Sequence, residues 1–265
     1  MPVLPALLSP DEPVPFDVRG RKGRSPFFIV CDHAGRLLPR ALGTLGLSEA
    51  ELATHIAWDI GAGEVARRLA TALDACVVWQ RYSRLVIDCN RPLDAADSIA
   101  TRSERTLIPG NQNVTTGNAA ARANAIFHPY HDTIRAALDR RAAEGRPTIL
   151  VAMHSFTPAF LDVARPWQVG VLYNRDTRFA VPLLDLLRRE GDLVVGDNEP
   201  YAVSDVSDFS INHHGEHRAI PCVELELRQD LIADEAGQSA WAQRLAGLLA
   251  EVLESLPSLA ATESR

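Results

Sequence analysis

Residues 27–35 read Phe27-Phe28-Ile29-Val30-Cys31-Asp32-His33-Ala34-Gly35, an apolar run of strand length that stops on an acid, a histidine and a glycine. A run without polar alternation marks a strand covered on both faces. A turn at its end needs only Gly35, so Asp32 and His33 either cap a buried strand or stand at the rim of a site. Similar short runs rich in Val, Ile and Leu recur at Ala75–Trp79, Arg84–Cys89, Thr148–Met153, Gln168–Tyr173, Leu193–Val195 and Cys222–Leu227.

Helical patterns lie between these runs. Ser48-Glu49-Ala50-Glu51 has the form of a capping box. Gly61–Leu73 sets Val65, Leu69 and Leu73 on one face, and Asn118–Glu144, Phe179–Arg189 and Ser239–Leu256 complete the set. Strands alternating with helices predict an α/β fold, a three-layer sandwich with a mixed, mostly parallel central sheet. One domain is expected over residues 25–258. An extended, proline-rich arm precedes it at 1–24 and a short tail follows at 259–265. Residues 92–117 are polar and without period, and a loop of that length within a compact domain suggests a cover over a site.

The bulk composition narrows the function. The chain has 265 residues, 46% of them hydrophobic, enough for a sizeable core, and a formal charge of −7. An acidic chain is a poor partner for nucleic acid, and the basic stretch Arg19–Arg24 reads as a solvated loop. No run approaches the ~18 apolar residues of a membrane span, and no secretory pattern opens the chain, so a cytoplasmic protein is expected. Cys31, Cys76, Cys89 and Cys222 are widely spaced, which favours buried free thiols over a disulfide or cysteine-zinc framework. Lys22 is the only lysine and lies in the basic loop, without a phosphate-binding motif or a strand around it, which argues against Schiff-base or phosphate-loop chemistry.

Sites in α/β sheets assemble at the carboxyl ends of strands. Here those ends deliver Asp32 and His33; Asp88, Asn90 and Arg91; and His154 and Ser155. The last run contains Glu224 and Glu226 and ends on Arg228. The two glutamates share a strand face, because side chains alternate with period two. Buried carboxylates require a cationic partner, and Arg228 could serve one of them. Two histidines with carboxylates, and no cysteine cluster, suit a catalytic zinc better than a structural one. Asn90-Arg91 suits a planar grip on a carboxylate. Each residue alone also has a plain structural reading, such as a hydrogen-bonded histidine at a strand end.

The segments CDHAG, HIAWDIGAG, SRLVIDCNRP, HPYH, HSFTP, GDNEPY, HHGEHRAIP and VELELRQDLI, in this order, resemble the N-formylglutamate amidohydrolase family over about Phe27 to Leu256. More distantly the layout is similar to zinc carboxypeptidases and aspartoacylases. The resemblance implies their mixed-sheet fold, a single zinc ion and a small-molecule N-acyl amino acid as substrate. It implies His33 and His154 as metal ligands, Glu226 as general base and Arg84 as oxyanion stabiliser, with Asn90 and Arg91 binding substrate carboxylate. The distant relatives carry His-x-x-Glu, but Arg36 stands at the glutamate's position. Asp59 is then the first choice for third ligand, His55 the competitor and Asp32 a poorer candidate. His214 and Asn198 are further substrate-side candidates, whereas His128 and His131 read as packing or supporting residues. A peptidase, another N-acyl amino-acid hydrolase on the same fold, or a non-catalytic carboxylate-binding protein are the alternatives.

Overall fold

A computed structural model describes residues 6–256. The main strands are β1 (Phe16–Arg19), β2 (Phe27–Cys31) and β3 (Cys76–Gln80); β6 (Ile149–Phe156); and β9 (Val169–Leu172), β10 (Val195–Asp197) and β11 (Cys222–Arg228). Two small hairpins, β4 (Arg102–Ser103) with β5 (Thr106–Leu107) and β7 (Ala159–Phe160) with β8 (Val163–Ala164), stand outside the sheet. The helices are α1 (Glu49–Leu52), α2 (Ala62–Ala72), α3 (Thr116–Arg122), α4 (His128–Ala143), α5 (Ala180–Arg189) and α6 (Glu235–Ser255).

The seven-stranded sheet runs β1-β3-β2-β6-β11-β9-β10. Strands β3, β2, β6 and β11 are parallel, and antiparallel pairings join β1 to β3 and β9 to β11. The sheet is therefore mixed and mostly parallel, as the unalternating strand sequences imply. Part of the stretch read as an arm, Phe16–Arg19, is the edge strand β1. Residues 1–5 of that arm and the tail at 259–265 lie outside the described residues. No helix of the described chain is long and apolar enough to cross a membrane.

Period two sorts the core into two layers. Phe27, Ile29, Cys31, Val151, Met153, Val223 and Leu225 pack beneath α2, α5 and α6. Phe28, Val30, Val78, Leu150, Ala152 and Cys222 face α4 and the turn Ala123–Phe127 before it on the other side. Followed toward the carboxyl edge, this second face changes character: Val30 leads to Asp32, Ala152 to His154, and Cys222 to Glu224 and Glu226. All four titratable residues are buried. The four cysteines are likewise free and buried, and burial pushes each thiol up from its ordinary value.

Local readings differ in one informative place. Arg84–Cys89 is no strand but a turn, closed by Val86 N–H on Ser83 O at 3.0 Å and by Leu85 N–H on Ser83 Oγ at 3.1 Å. Its apolar residues look strand-like because they are buried on two sides. Leu85 enters a small cluster with Leu45 and Ile108, while Val86 and Ile87 join the core above the sheet. The capping box forms as read, with Ser48 Oγ accepting from Glu51 N–H. The long helical pattern is realised as α3 and α4 joined by a π turn at Ala123–Phe127.

Candidate active site and metal centre

Three ligand atoms converge at the carboxyl edge. His33 Nδ1 lies 3.3 Å from Asp59 Oδ2, His154 Nδ1 lies 3.0 Å from the same oxygen, and the two ring nitrogens are 3.2 Å apart. A tetrahedral cation with bonds of about 2.0–2.1 Å holds its ligands about 3.3 Å apart, so the spacing fits one. Two imidazole nitrogens turned toward one another and toward one carboxylate oxygen are a donor set that a cation satisfies better than protons do. The buried His33–Asp59–His154 group is thus able to hold a metal ion.

The remote ring nitrogens meet carboxylates. His33 Nε2 donates to Asp88 Oδ1 at 2.7 Å, and His154 Nε2 faces Asp32 Oδ2 at 3.4 Å and Glu224 Oε2 at 3.9 Å. The bond to Asp88 turns His33 Nδ1 inward and fixes its tautomer, the usual support of a metal-binding histidine, and carboxylates stand behind His154 as well. Burial opposes charge on Asp59, but His33 and His154 outweigh it and hold the carboxyl far below the usual range. Burial likewise opposes protonation of His154, yet Glu224, Asp32 and Asp59 raise it well above its ordinary value. The pocket is built for positive charge at its centre.

Glu226 is the register partner of His154 in the parallel β6–β11 pair, which places its carboxyl beside the cluster. Its Oε2 has no hydrogen-bond partner among the described residues. Burial, with Asp59 and Glu224 adding, pushes it well above the carboxylate range against the pull of His154. Arg84 sits in the turn, with Nη2 2.7 Å from Asp88 Oδ2 and Nη1 3.4 Å from Asp59 Oδ1. Arg91 Nε donates to Asp97 Oδ2 at 3.0 Å, and Arg91 lines the same cleft, of about 580 Å³, as Glu226, Arg84 and the three candidate ligands.

The remaining candidates are distributed unevenly. Asn90 lines the cleft, but its Oδ1 already accepts the backbone N–H groups of Phe209 and Ser210 at 3.0 and 2.9 Å. Asn198 lies outside the cleft, where its Oδ1 accepts Tyr173 N–H at 2.9 Å. His214 is also outside it, its Nε2 3.0 Å from His131 Nδ1 in a buried pair. His55 lines the cleft beside Glu104 and is not part of the ligand triad. Arg36 stacks over Trp58. Arg228 turns to Asp230, so Glu224 and Glu226 are left to His154 and the cluster.

Asp32, the poorer candidate for third ligand, is not in the triad but stands behind His154. The strand ends at Cys31, and Asp32 and His33 lie in the turn that follows it. Asp32 Oδ1 accepts Ser210 Oγ–H at 2.7 Å while its Oδ2 faces His154. Nothing in the sequence signals Ser210, which lies 178 residues away.

The model of the N-formylglutamate amidohydrolase family matches residues 25–233. The chain belongs to this family. It is 28% identical over 261 residues to an N-formylglutamate deformylase of Pseudomonas aeruginosa, covering 89% of this chain and 94% of that protein. The crystal structure of a gene product from Agrobacterium tumefaciens superposes with a TM-score of 0.91 at 36% identity, covering 95% of this chain and 99% of the other. The N-formylglutamate amidohydrolase of Ralstonia eutropha, at 19% identity and a TM-score of 0.66 over 92% of this chain and 99% of its own, shares the fold. The family member described here is an amide-cleaving hydrolase.

Proposed function

We propose that the protein hydrolyses the amide bond of an N-acyl amino acid, with N-formylglutamate the leading substrate, using a divalent cation held by His33 Nδ1, Asp59 Oδ2 and His154 Nδ1. The nitrogen and oxygen donors favour zinc. When bound, such an ion supplies Lewis acidity that acidifies water and polarises a carbonyl oxygen.

Glu226 accepts a proton from water as the water oxygen attacks the formyl carbon. It then delivers that proton to the amide nitrogen as the C–N bond breaks, giving formate and the free amino acid. Its elevated proton affinity suits a group that must take up a proton and keep it until the amine leaves. Arg84, held in place by Asp88 and Asp59, points a guanidinium at the cleft where the carbonyl oxygen gains charge. Arg91 receives the substrate's α-carboxylate, and Asn90 holds the Phe209–Ser210 backbone that frames it. The buried, unpaired cysteines support a reducing compartment such as the cytoplasm.

The observation that carries this reading is the convergence of the three ligand atoms beside an unpartnered Glu226 carboxyl. Metal content and formate release are measured together on purified chain. Stoichiometric zinc, activity lost to a chelator and restored by zinc, and formate from N-formylglutamate are expected. Substoichiometric metal after metal-replete expression, or efficient peptide cleavage with N-formylglutamate inert, overturns it.

A further inference from the structure

The two small hairpins grip one another at the cleft mouth. Arg105 on one pairs with Asp162 on the other, and Glu104 Oε1 accepts Leu161 N–H at 2.9 Å. Each hairpin unit carries a guanidinium that has no carboxylate partner among the described residues. Arg102 lines the cleft, and its Nη1 donates only to Arg105 O at 3.2 Å. Arg165 lies with its guanidinium carbon 4.8 Å from the Phe160 ring centroid and 4.9 Å from that of Tyr201, both cleft-lining residues. It also donates to Tyr201 Oη at 3.0 Å and to Thr157 Oγ1 at 3.3 Å.

Of the other cleft arginines, Arg84 is balanced by Asp59 and Asp88, and Arg91, held by Asp97 and Asp208, is already assigned to the α-carboxylate. The wall also carries the carboxyl groups of Glu104, Asp208, Glu224 and Glu226. A ligand carrying a single negative charge has Arg91 to meet it. A ligand carrying two needs further positive charge at the same cleft; Arg102 lines it, and Arg165 stands against its lining residues Phe160 and Tyr201. A guanidinium stacked on aromatic rings keeps its charge and its in-plane donors while losing little freedom on binding.

We propose that Arg102 and Arg165, on the two clasped hairpins, receive the second carboxylate of the substrate and so select N-acyl dicarboxylates over their neutral analogues. This inference rests on the hydrolase reading for the substrate's chemistry, but its test does not depend on turnover.

Binding of glutarate and of its monoamide is measured by calorimetry on metal-loaded wild type, Arg102→Gln, Arg165→Gln and the double variant, with turnover of N-formylglutamate and N-formylglutamine alongside. Wild type is expected to prefer glutarate by about tenfold or more. Each single variant reduces that preference and the double variant removes it. KM for N-formylglutamate rises in step, while kcat and the constants for N-formylglutamine stay in place. Arg165→Lys, which keeps the charge and much of the stem packing, restores part of the preference if Arg165→Gln folds poorly. A double variant that still prefers glutarate, or a wild type indifferent between the two ligands, overturns the proposal. Failure of wild type to release formate counts against the hydrolase reading alone, and the glutarate preference still decides the role of the arginines.

Discussion

His154 and Glu226 are register partners on adjacent parallel strands, so one ring and one carboxyl are fixed side by side by backbone hydrogen bonds rather than by flexible loops. Both are almost wholly withdrawn from solvent. A base positioned this way needs no rearrangement to work beside a cation held by His154.

Replacing Glu226 with glutamine keeps size and packing but removes the proton acceptor. We expect kcat to fall by about 10²–10⁴-fold, the usual contribution of a positioned acid–base group, with metal content and melting temperature close to wild type. Full activity in Glu226→Gln would exclude it as the base.

Asp32 supports His154 from behind, and Ser210 in turn holds Asp32. Asp32→Asn is expected to weaken metal binding by about 10–100-fold, the range seen when such a supporting carboxylate is lost, and Ser210→Ala by less. Competition with a chromogenic chelator measures the affinity directly. An unchanged affinity in Asp32→Asn would mean that the imidazole is oriented by its packing alone.

Gly35 follows the first ligand and passes against a neighbouring backbone. A Cβ at this position would lie 2.1 Å from Arg81 O and 2.2 Å from the Arg81 carbonyl carbon, which no side-chain rotation relieves. Gly35→Ala should therefore destabilise the fold by about 3 kcal/mol or more, in the range of severe backbone and packing lesions. Urea unfolding reads the loss, and a wild-type midpoint would show that the Leu37–Tyr82 bridge region can shift apart.

The buried His131–His214 pair predicts acid sensitivity away from the cluster. Burial pushes His131 down to about 4, and His214 also falls well below its ordinary value. The folded protein thus binds these protons less readily than the unfolded chain. Stability from this source is complete above the unfolded value near 6.5 and is lost as pH falls toward about 4. For His131 alone, about 2 kcal/mol is gone by pH 5. Urea midpoints at pH 7.5 and 5.0 test this, and His131→Gln should flatten the difference. An equal pH response in wild type and variant would rule the pair out as its source.

The sheet was legible because its central strands are covered on both faces and therefore apolar throughout. His33, His154 and Glu226 were legible because they interrupt or end such runs. Arg84–Cys89 misled for the same reason: a turn buried on two sides has the composition of a strand, and periodicity cannot separate them over six residues. Asp32, the poorer candidate for third ligand, is not in the triad; its place behind His154 depends on a contact between distant segments that the sequence does not signal. Asn198 and His214 look like site residues in sequence, but neither lines the cleft: Asn198 Oδ1 takes Tyr173 N–H and His214 Nε2 meets His131. Arg102 and Arg165 lie in polar connections whose sequences carry no period. Only the fold shows that Arg102 lines the cleft and that Arg165 stacks on its lining residues Phe160 and Tyr201.

The four buried cysteines give the molecule an internal clock. With no thiol at the surface and each held in its unreactive protonated form, alkylating agents find nothing to modify while the core is closed. Their uptake by the protein then measures how often the core opens. Cys31 sits in the strand that leads into His33, so its labelling rate, with and without added zinc, would show whether filling the cluster also locks the sheet beneath it.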